Sequence, residues 1–154
     1  MQHPAKVREA NLLDILPIAL LAEKYANEVT TMSNHPLSVK TLMEGLAATI
    51  LSDDGYVSVL EVDGKIVGGF WGLLTNQPWS DTKFAQDVII VVDTEYRNGN
   101  GLLLIKEWMK WAKVKGAKEV YLSTASGIET ERFIRLAGRL GFSPVGHGFK
   151  KEIT

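Results

Sequence analysis

An apolar run that leads through a glycine-rich turn into an amphipathic stretch constrains this chain more than any other feature. Residues Val88 to Val92 are apolar without alternation, as expected for a strand covered on both faces. The turn Tyr96 to Gly101 carries two glycines, and Leu102 to Lys115 then has a helical period that Gly116 stops. A strand from Asp87 to Asp93 is therefore predicted to feed directly into a helix N-terminus.

A β-hairpin is predicted ahead of this segment. The runs Tyr56 to Val62 and Lys65 to Leu74 are rich in strand-forming residues. They are joined by Asp63-Gly64, a pair that tolerates the positive φ angles of a type I′ turn. Two hairpin strands followed by strand, helix and strand imply a mixed sheet, antiparallel in its first half and with a parallel crossover in its second.

The remaining periodicities complete an α/β chain of the order β-α-α-β-β-β-α-β-α-β. Its other predicted elements are a strand at Lys6–Ala10, helices from Asp14 as cap to about Glu28 and from Ser38 as cap to Leu51, a strand at Glu119–Ser123, a helix at Glu129–Leu140 and a last strand or hairpin at Phe142–Ile153. At 154 residues the chain is long enough for a self-sufficient core, so one domain over 1–154 is expected.

Charge and cysteine content narrow the classes of function. Seventeen lysines and arginines against 18 acidic residues leave no excess of positive charge for a phosphate backbone or an anionic membrane. No nucleic-acid or membrane partner is therefore expected. The absence of cysteine excludes disulfides and thiolate nucleophiles, and with only three histidines a metal site is not expected either. The start of the sequence lacks a signal-peptide pattern, which predicts a cytoplasmic protein.

The glycine turn is suited to bind an anion. It stands at a helix N-terminus, where unpaired N–H groups and the positive end of the helix dipole coincide. Gly99 and Gly101 let phosphate oxygens approach without a Cβ in the way, and Arg97 adds a charged donor. A pyrophosphate group is the occupant that this arrangement favours.

Two common nucleotide motifs share such glycines but differ at the flanks. The Walker A motif requires a Gly-Lys-Ser/Thr ending, which is absent. The dinucleotide fingerprint requires a small residue where Leu104 stands and an acidic residue at the end of the next strand, which here is Ser123-Thr124. Neither motif is matched, and the preceding hairpin is foreign to a doubly wound nucleotide fold.

The segment resembles motif A of the GNAT superfamily of N-acyltransferases, in which a strand of the type Val-Asp-Pro-Glu-Tyr-Arg leads into a glycine turn. Here that strand end is Val92 to Arg97. Val7 to Ala10 together with Asp14 resembles the opening of the family, and Asp63 to Gly68 its central hairpin. Leu140 to Phe142 is similar to the end of its motif B. The resemblance covers nearly the whole chain.

The resemblance implies that the chain transfers an acetyl group from acetyl-CoA to a primary amine of a small molecule or a protein, by direct attack in a ternary complex. It implies that backbone groups of one strand bind the pantetheine arm and polarise the thioester carbonyl. Asp87 is the candidate base, with Glu95 less favoured. The implied coenzyme-binding residues are Ile90, Val91, Val92, Arg97, Asn98, Gly99, Asn100, Gly101, Leu102 and Thr130. A homodimer is compatible with the pattern.

The sequence departs from the family pattern in two places. Tyr96, not Arg97, stands at the usual Gln/Arg position, so the glycine turn is one residue shorter than usual. The frequent motif B tyrosine, the usual proton donor to the thiolate, falls on Ala137, and the frequent asparagine falls on Thr130. The absent tyrosine leaves an alternative open, namely a non-catalytic acyl-CoA-binding or interaction module on the same fold.

Overall fold

A computed structural model describes residues 4–28, 35–97, 99–123 and 130–153. The strands are β1 (Lys6–Glu9), β2 (Gly55–Val62), β3 (Lys65–Asn76), β4 (Lys83–Val92) and β5 (Glu119–Tyr121). The helices are α1 (Ile15–Ala26), α2 (Val39–Leu51), α3 (Asn100–Val114) and α4 (Thr130–Arg139). The predicted α/β class is confirmed.

The strands form one mixed sheet in the order β1-β2-β3-β4-β5. The first three pairings are antiparallel and the β4–β5 pairing is parallel, as the sequence predicted. The β2–β3 turn has φ angles of 52° at Asp63 and 74° at Gly64, which confirms a turn with two left-handed residues.

Helix α1 begins differently from the prediction. Asp14 was expected to be its cap, but a 3₁₀ turn over Leu12–Asp14 precedes α1 and is capped by Asn11. The Asn11 side chain accepts a hydrogen bond from the N–H of Leu13 at 2.9 Å, and the Asp14 carboxylate accepts one from the N–H of Asn11 at 2.8 Å. Because this reciprocal arrangement already satisfies the first N–H groups, the helical segment starts one turn early.

The sheet is covered on both faces. Tyr56 and Val57 are neighbours in β2 and point to opposite faces. Tyr56 belongs to the larger apolar cluster with α3, while Val57 packs in a second cluster with α1 and α2. In the larger cluster the buried indole of Trp108 stacks on Phe70 with ring centroids 4.7 Å apart.

Strand β4 is longer than predicted and contains a bulge. It begins at Lys83, because its first residues pair with both β3 and β5. Asp87 was predicted at the N-terminal end of the strand, but it lies in the middle. Its neighbour Val88 is an extra residue, since Gly72 pairs with Asp87 while Trp71 pairs with Ile89. The bulge reverses which side chains face α3 in the rest of the strand.

The last predicted strand is absent from the structure. Residues 142–153 are all described, and none of them is in a strand. Pro144 has no N–H to donate, and Gly146 and Gly148 disfavour extended pairing, so the segment is a weak strand former on its own. Among the helices of the described ranges, none is long and apolar enough to cross a membrane.

Candidate active site

Strands β4 and β5 diverge and leave an open wedge between them. Their parallel ladder runs only from the pair Phe84 and Glu119 to the pair Gln86 and Tyr121. Strand β4 nevertheless continues to Val92, paired with β3 alone. Beyond Gln86 one edge of β4 therefore has no neighbouring strand within the described residues.

The backbone of β4 presents donors to this wedge. The N–H of Asp93 donates to the carbonyl of Val67 on β3 at 2.8 Å. Because residues of an antiparallel strand alternate in direction, Val91 also points its N–H toward β3, while Ile90 and Val92 point theirs to the open side. The carbonyl of Val92 accepts a hydrogen bond from Nε of Arg97 at 2.8 Å. This carbonyl therefore also points away from β3, as the N–H of the same residue does.

Asp87 lies where the two strands separate, one residue beyond the last β4–β5 pair. It is only 8% exposed. Its Oδ2 accepts hydrogen bonds from the backbone N–H and the Oγ of Ser123, at 3.2 and 3.3 Å. Burial raises the pKa of the Asp87 carboxyl, and the two bonds from Ser123 oppose that rise. A buried carboxyl with a raised pKa at a strand divergence has the properties of a proton acceptor.

Helix α3 opens with the glycine turn. Gly99 precedes the helix and has a φ of 79°, in the left-handed region. The space next to the α-carbon of Gly99 is open, and so is the space next to that of Gly101. Among the described residues, a Cβ built on either glycine meets no heavy atom within 4 Å other than those of its chain neighbours and of its own helix backbone. Nδ2 of Asn100 donates to the carbonyl of Tyr96 at 2.7 Å and holds the turn closed, while Leu102 is half-buried in the first turn. Asn98 lies outside the described residues.

Arg97 is engaged within the protein. Besides its bond to Val92, its Nη2 donates to both carboxylate oxygens of Glu28, at 3.0 and 2.9 Å. A second ion pair joins Lys24 to Asp93 at 2.9 Å and lowers the pKa of Asp93. The C-terminal end of α1 is thus tied twice to the segment between β4 and α3. A phosphate bound at this turn would therefore have to share the guanidinium of Arg97 with the carboxylate of Glu28.

A cavity lies between the end of α1 and the start of α2, with a volume of about 420 Å³. It is lined by Glu23, Ala26, Asn27, Pro36, Leu37 and Val39. The same helix packs against β4 through Leu21 and Tyr25, which contact Val91. The cavity therefore lies along the helix that covers the face of β4 opposite α3.

Thr130 and Ala137 both lie on α4, of which Thr130 is the first residue. No hydrogen bond joins Thr130 to the other candidate residues in the part of the chain that the structure describes. Ser123 was not predicted from the sequence to be a site residue, although it ends the predicted strand Glu119–Ser123 and lies two residues beyond the end of β5. In the same described ranges no group of three or more His, Asp or Glu side chains is placed to hold a metal ion.

Several solved structures that are similar in fold to this chain are named as acetyltransferases. An aminoglycoside acetyltransferase from an uncultured soil metagenomic sample, solved in complex with sisomicin, is 20% identical and superposes with a TM-score of 0.73, covering 97% of each chain. Ribosomal-protein-alanine N-acetyltransferase from Brucella melitensis biovar Abortus 2308 is 16% identical, with a TM-score of 0.73 over 98% of this chain and 100% of the other. A transcriptional regulator from Bacillus halodurans C-125 is 19% identical, with a TM-score of 0.78 over 97% and 100%.

Sequence comparison identifies the family. Residues 23–142 match the model of the acetyltransferase (GNAT) family, which includes β4, the glycine turn and α4. The chain belongs to that family. A comparison with curated protein sequences finds no match. The resemblance expected from the motifs is therefore confirmed at the level of the family and the fold.

Proposed function

We propose that this chain transfers an acetyl group from acetyl-CoA to a primary amine by direct attack in a ternary complex. The divergence of β4 from β5 supports this proposal most strongly. Among the described residues it leaves the N–H groups of Ile90 and Val92 without a partner strand, at the end of a strand that leads into the glycine turn. An extended pantetheine arm pairs with such an edge as an additional strand does, and its pyrophosphate fits the open first turn of α3.

In the proposed reaction the amine nitrogen attacks the thioester carbonyl carbon and the carbon–sulfur bond breaks. The N–H groups of Ile90 and Val92 are the donors suited to the carbonyl oxygen as negative charge develops on it. A lysine-type amine has a pKa of about 10.4 and is mostly protonated at neutral pH. Asp87 takes the amine proton, directly or through a water molecule. Ala137 cannot donate a proton to the leaving thiolate. The thiolate is therefore protonated by solvent or by the proton that the amine nitrogen releases after its attack.

The cavity between α1 and α2 is the proposed entrance for the acceptor. Glu23 places a carboxylate at its wall, and a carboxylate attracts an ammonium group. Two of the similar structures are named for different acceptors, an aminoglycoside acetyltransferase and a ribosomal-protein-alanine N-acetyltransferase. We therefore place both a polycationic small molecule and an N-terminal peptide among the acceptors to test.

The test is the release of free thiol from acetyl-CoA in the presence of a panel of aminoglycosides, polyamines and alanine-terminated peptides. We expect release that depends on one class of acceptor and that falls when Glu23→Gln removes the carboxylate. Binding of acetyl-CoA without release on the whole panel would instead support the non-catalytic acyl-CoA-binding module, for which Ala137 is the supporting residue. Release without any acceptor would contradict direct transfer to an amine.

A further inference from the structure

The end of helix α1 contributes to both halves of the proposed site. Glu23, Ala26 and Asn27 line the cavity between α1 and α2. Glu28, the next residue, accepts two hydrogen bonds from Arg97 beside the glycine turn. A rearrangement of this end of the helix therefore changes the wall of the acceptor cavity as well as the surroundings of Arg97.

Glu28 holds the one nitrogen of Arg97 that a tightly bound phosphate requires. Nη2 donates to both carboxylate oxygens of Glu28, at 3.0 and 2.9 Å, and Nε donates to the carbonyl of Val92 at 2.8 Å. A guanidinium offers two edges for a bidentate contact, Nε with Nη2 and Nη1 with Nη2. Because both edges include Nη2, a phosphate that binds Arg97 in a bidentate manner competes directly with Glu28.

The ion pair between Arg97 and Glu28 is of the kind that an anionic ligand displaces. Their side chains are 19% and 32% exposed, so water reaches the pair and screens it. The pyrophosphate of the coenzyme carries two negative charges and is also attracted by the N-terminal N–H groups of α3. A carboxylate and a pyrophosphate on the same guanidinium repel each other. Displacement of Glu28 is therefore favoured over a shared guanidinium.

We infer that Glu28 is a positioning residue that occupies Arg97 until the coenzyme displaces it, and that this exchange frees the last turn of α1. The inference rests on the proposed binding of acetyl-CoA. The ion pair of Lys24 with Asp93, at 2.9 Å, does not involve Arg97 and stays in place. Movement is thus confined to the part of α1 beyond Lys24, which lines the acceptor cavity, and the cavity wall adjusts only when the coenzyme is bound.

Glu28→Gln tests the competition, with the affinity for coenzyme A measured by isothermal titration calorimetry. Removing the competing charge should strengthen binding by roughly threefold to tenfold, whereas loss of a residue with a structural role alone would weaken it. Glu107→Gln is the matched control, because it makes the same change in the exposed pair with Lys110. Lys24→Met cuts the other tie of α1 without releasing Arg97. Neither control should strengthen binding.

Hydrogen exchange of the unmodified chain tests the release of α1 without any substitution. The N–H of Glu28 donates to the carbonyl of Tyr25 at 2.9 Å, so exchange of this amide reports on the last turn. Saturating coenzyme A should speed exchange there while slowing it in the first turn of α3, and Glu28→Gln should show the faster exchange without coenzyme A.

The outcomes separate this inference from the proposed function. If wild type binds coenzyme A, but Glu28→Gln binds it no more tightly or exchange at the end of α1 slows on binding, the displacement of Glu28 is overturned and the proposed function stands. A wild-type chain that binds no coenzyme A would overturn both.

Discussion

At the scale of single residues, the position of Asp87 is the feature that links the fold to the proposed chemistry. It is a buried carboxyl at the point where β4 leaves β5, and its hydrogen-bond partners are the two donor groups of Ser123. Burial favours the neutral acid, and each bond from Ser123 favours the carboxylate. The balance between burial and the hydrogen bonds from Ser123 sets the pH above which the Asp87 carboxylate can accept a proton.

Asp87→Asn tests the role of the base. The substitution keeps the size of the side chain and removes its ability to take a proton, so turnover should fall by roughly a hundredfold or more while acetyl-CoA affinity stays nearly constant. The loss should shrink at high pH, because neutral amine is then supplied without a base. Full activity of this variant at neutral pH would remove Asp87 from the mechanism and leave the coenzyme assignment untouched.

Ser123→Ala tests whether Ser123 positions that carboxylate. Losing the Oγ donor removes a bond to the charged form, so the pKa of Asp87 should rise further and the acid limb of the rate profile should move to higher pH. Ser123→Thr keeps a hydroxyl and should restore the profile. The carboxyl chemical shift of Asp87, titrated by NMR, measures the same change without turnover, and an unshifted titration in Ser123→Ala would contradict this role.

At the scale of elements, the strand, glycine turn and helix form one unit. The sequence predicted this unit because the apolar run of β4, the glycines and the helical period of α3 are all local signals. It could not predict that β4 begins at Lys83 or contains a bulge at Val88, since both depend on pairing with distant strands. The bond between Ser123 and Asp87 likewise joins residues that are separated by the whole of α3.

Gly101→Val tests the binding unit with little effect on the fold. A Cβ at Gly101 meets no described residue within 4 Å apart from its chain neighbours and its own helix backbone. Valine is no poorer than glycine in a helix, so stability should be unchanged or slightly higher. The side chain would occupy the proposed path of the pyrophosphate and should weaken acetyl-CoA binding about tenfold or more, a loss of about 1.4 kcal/mol.

Gly138→Val in α4 is the matched control, because it is the same substitution at an equally open helical position. Equal acetyl-CoA affinity in the two variants would refute the placement of the pyrophosphate. Gly99→Val is a poorer test, since its φ of 79° would add backbone strain of about 1–3 kcal/mol to any loss of binding.

At the scale of the whole molecule, a part-buried ion cluster joins the first strand to the sheet and to the turn that leads into the first helix. Arg8 donates two hydrogen bonds to Asp14, at 2.7 and 2.9 Å, and two to Glu61, at 3.0 and 2.8 Å. The bonds from Arg8 lower the pKa of Asp14. The sequence placed Asp14 at a helix cap and in the opening of the family pattern, but the contact with Arg8 and the contribution of Glu61 could not be predicted because they require the sheet to be formed.

This cluster predicts a specific pH dependence of stability. The pKa of Asp14 is lowered in the folded state, so its contribution is present above the unfolded pKa of about 3.9 and is lost as the pH falls through the folded value. Arg8→Met should reduce the free energy of unfolding in urea by about 1–3 kcal/mol at neutral pH, and by less at pH values near 3.

Lys110→Met serves as the control, since it removes the exposed pair with Glu107 and should change stability by no more than about 0.5 kcal/mol. Wild type and Arg8→Met should converge as the solution is acidified. A constant difference between them from pH 7 to pH 3 would show that Arg8 contributes packing alone.

The proposed function requires that acetyl-CoA binds to the wedge beside β4 and to the first turn of α3. Thermal or urea unfolding with increasing acetyl-CoA measures this binding directly, whatever the acceptor. We expect a stabilisation of about 2.7 kcal/mol when the ligand is at about a hundredfold excess over its dissociation constant, with NAD and ATP giving much less. An unfolding transition that saturating acetyl-CoA leaves unchanged would contradict the account.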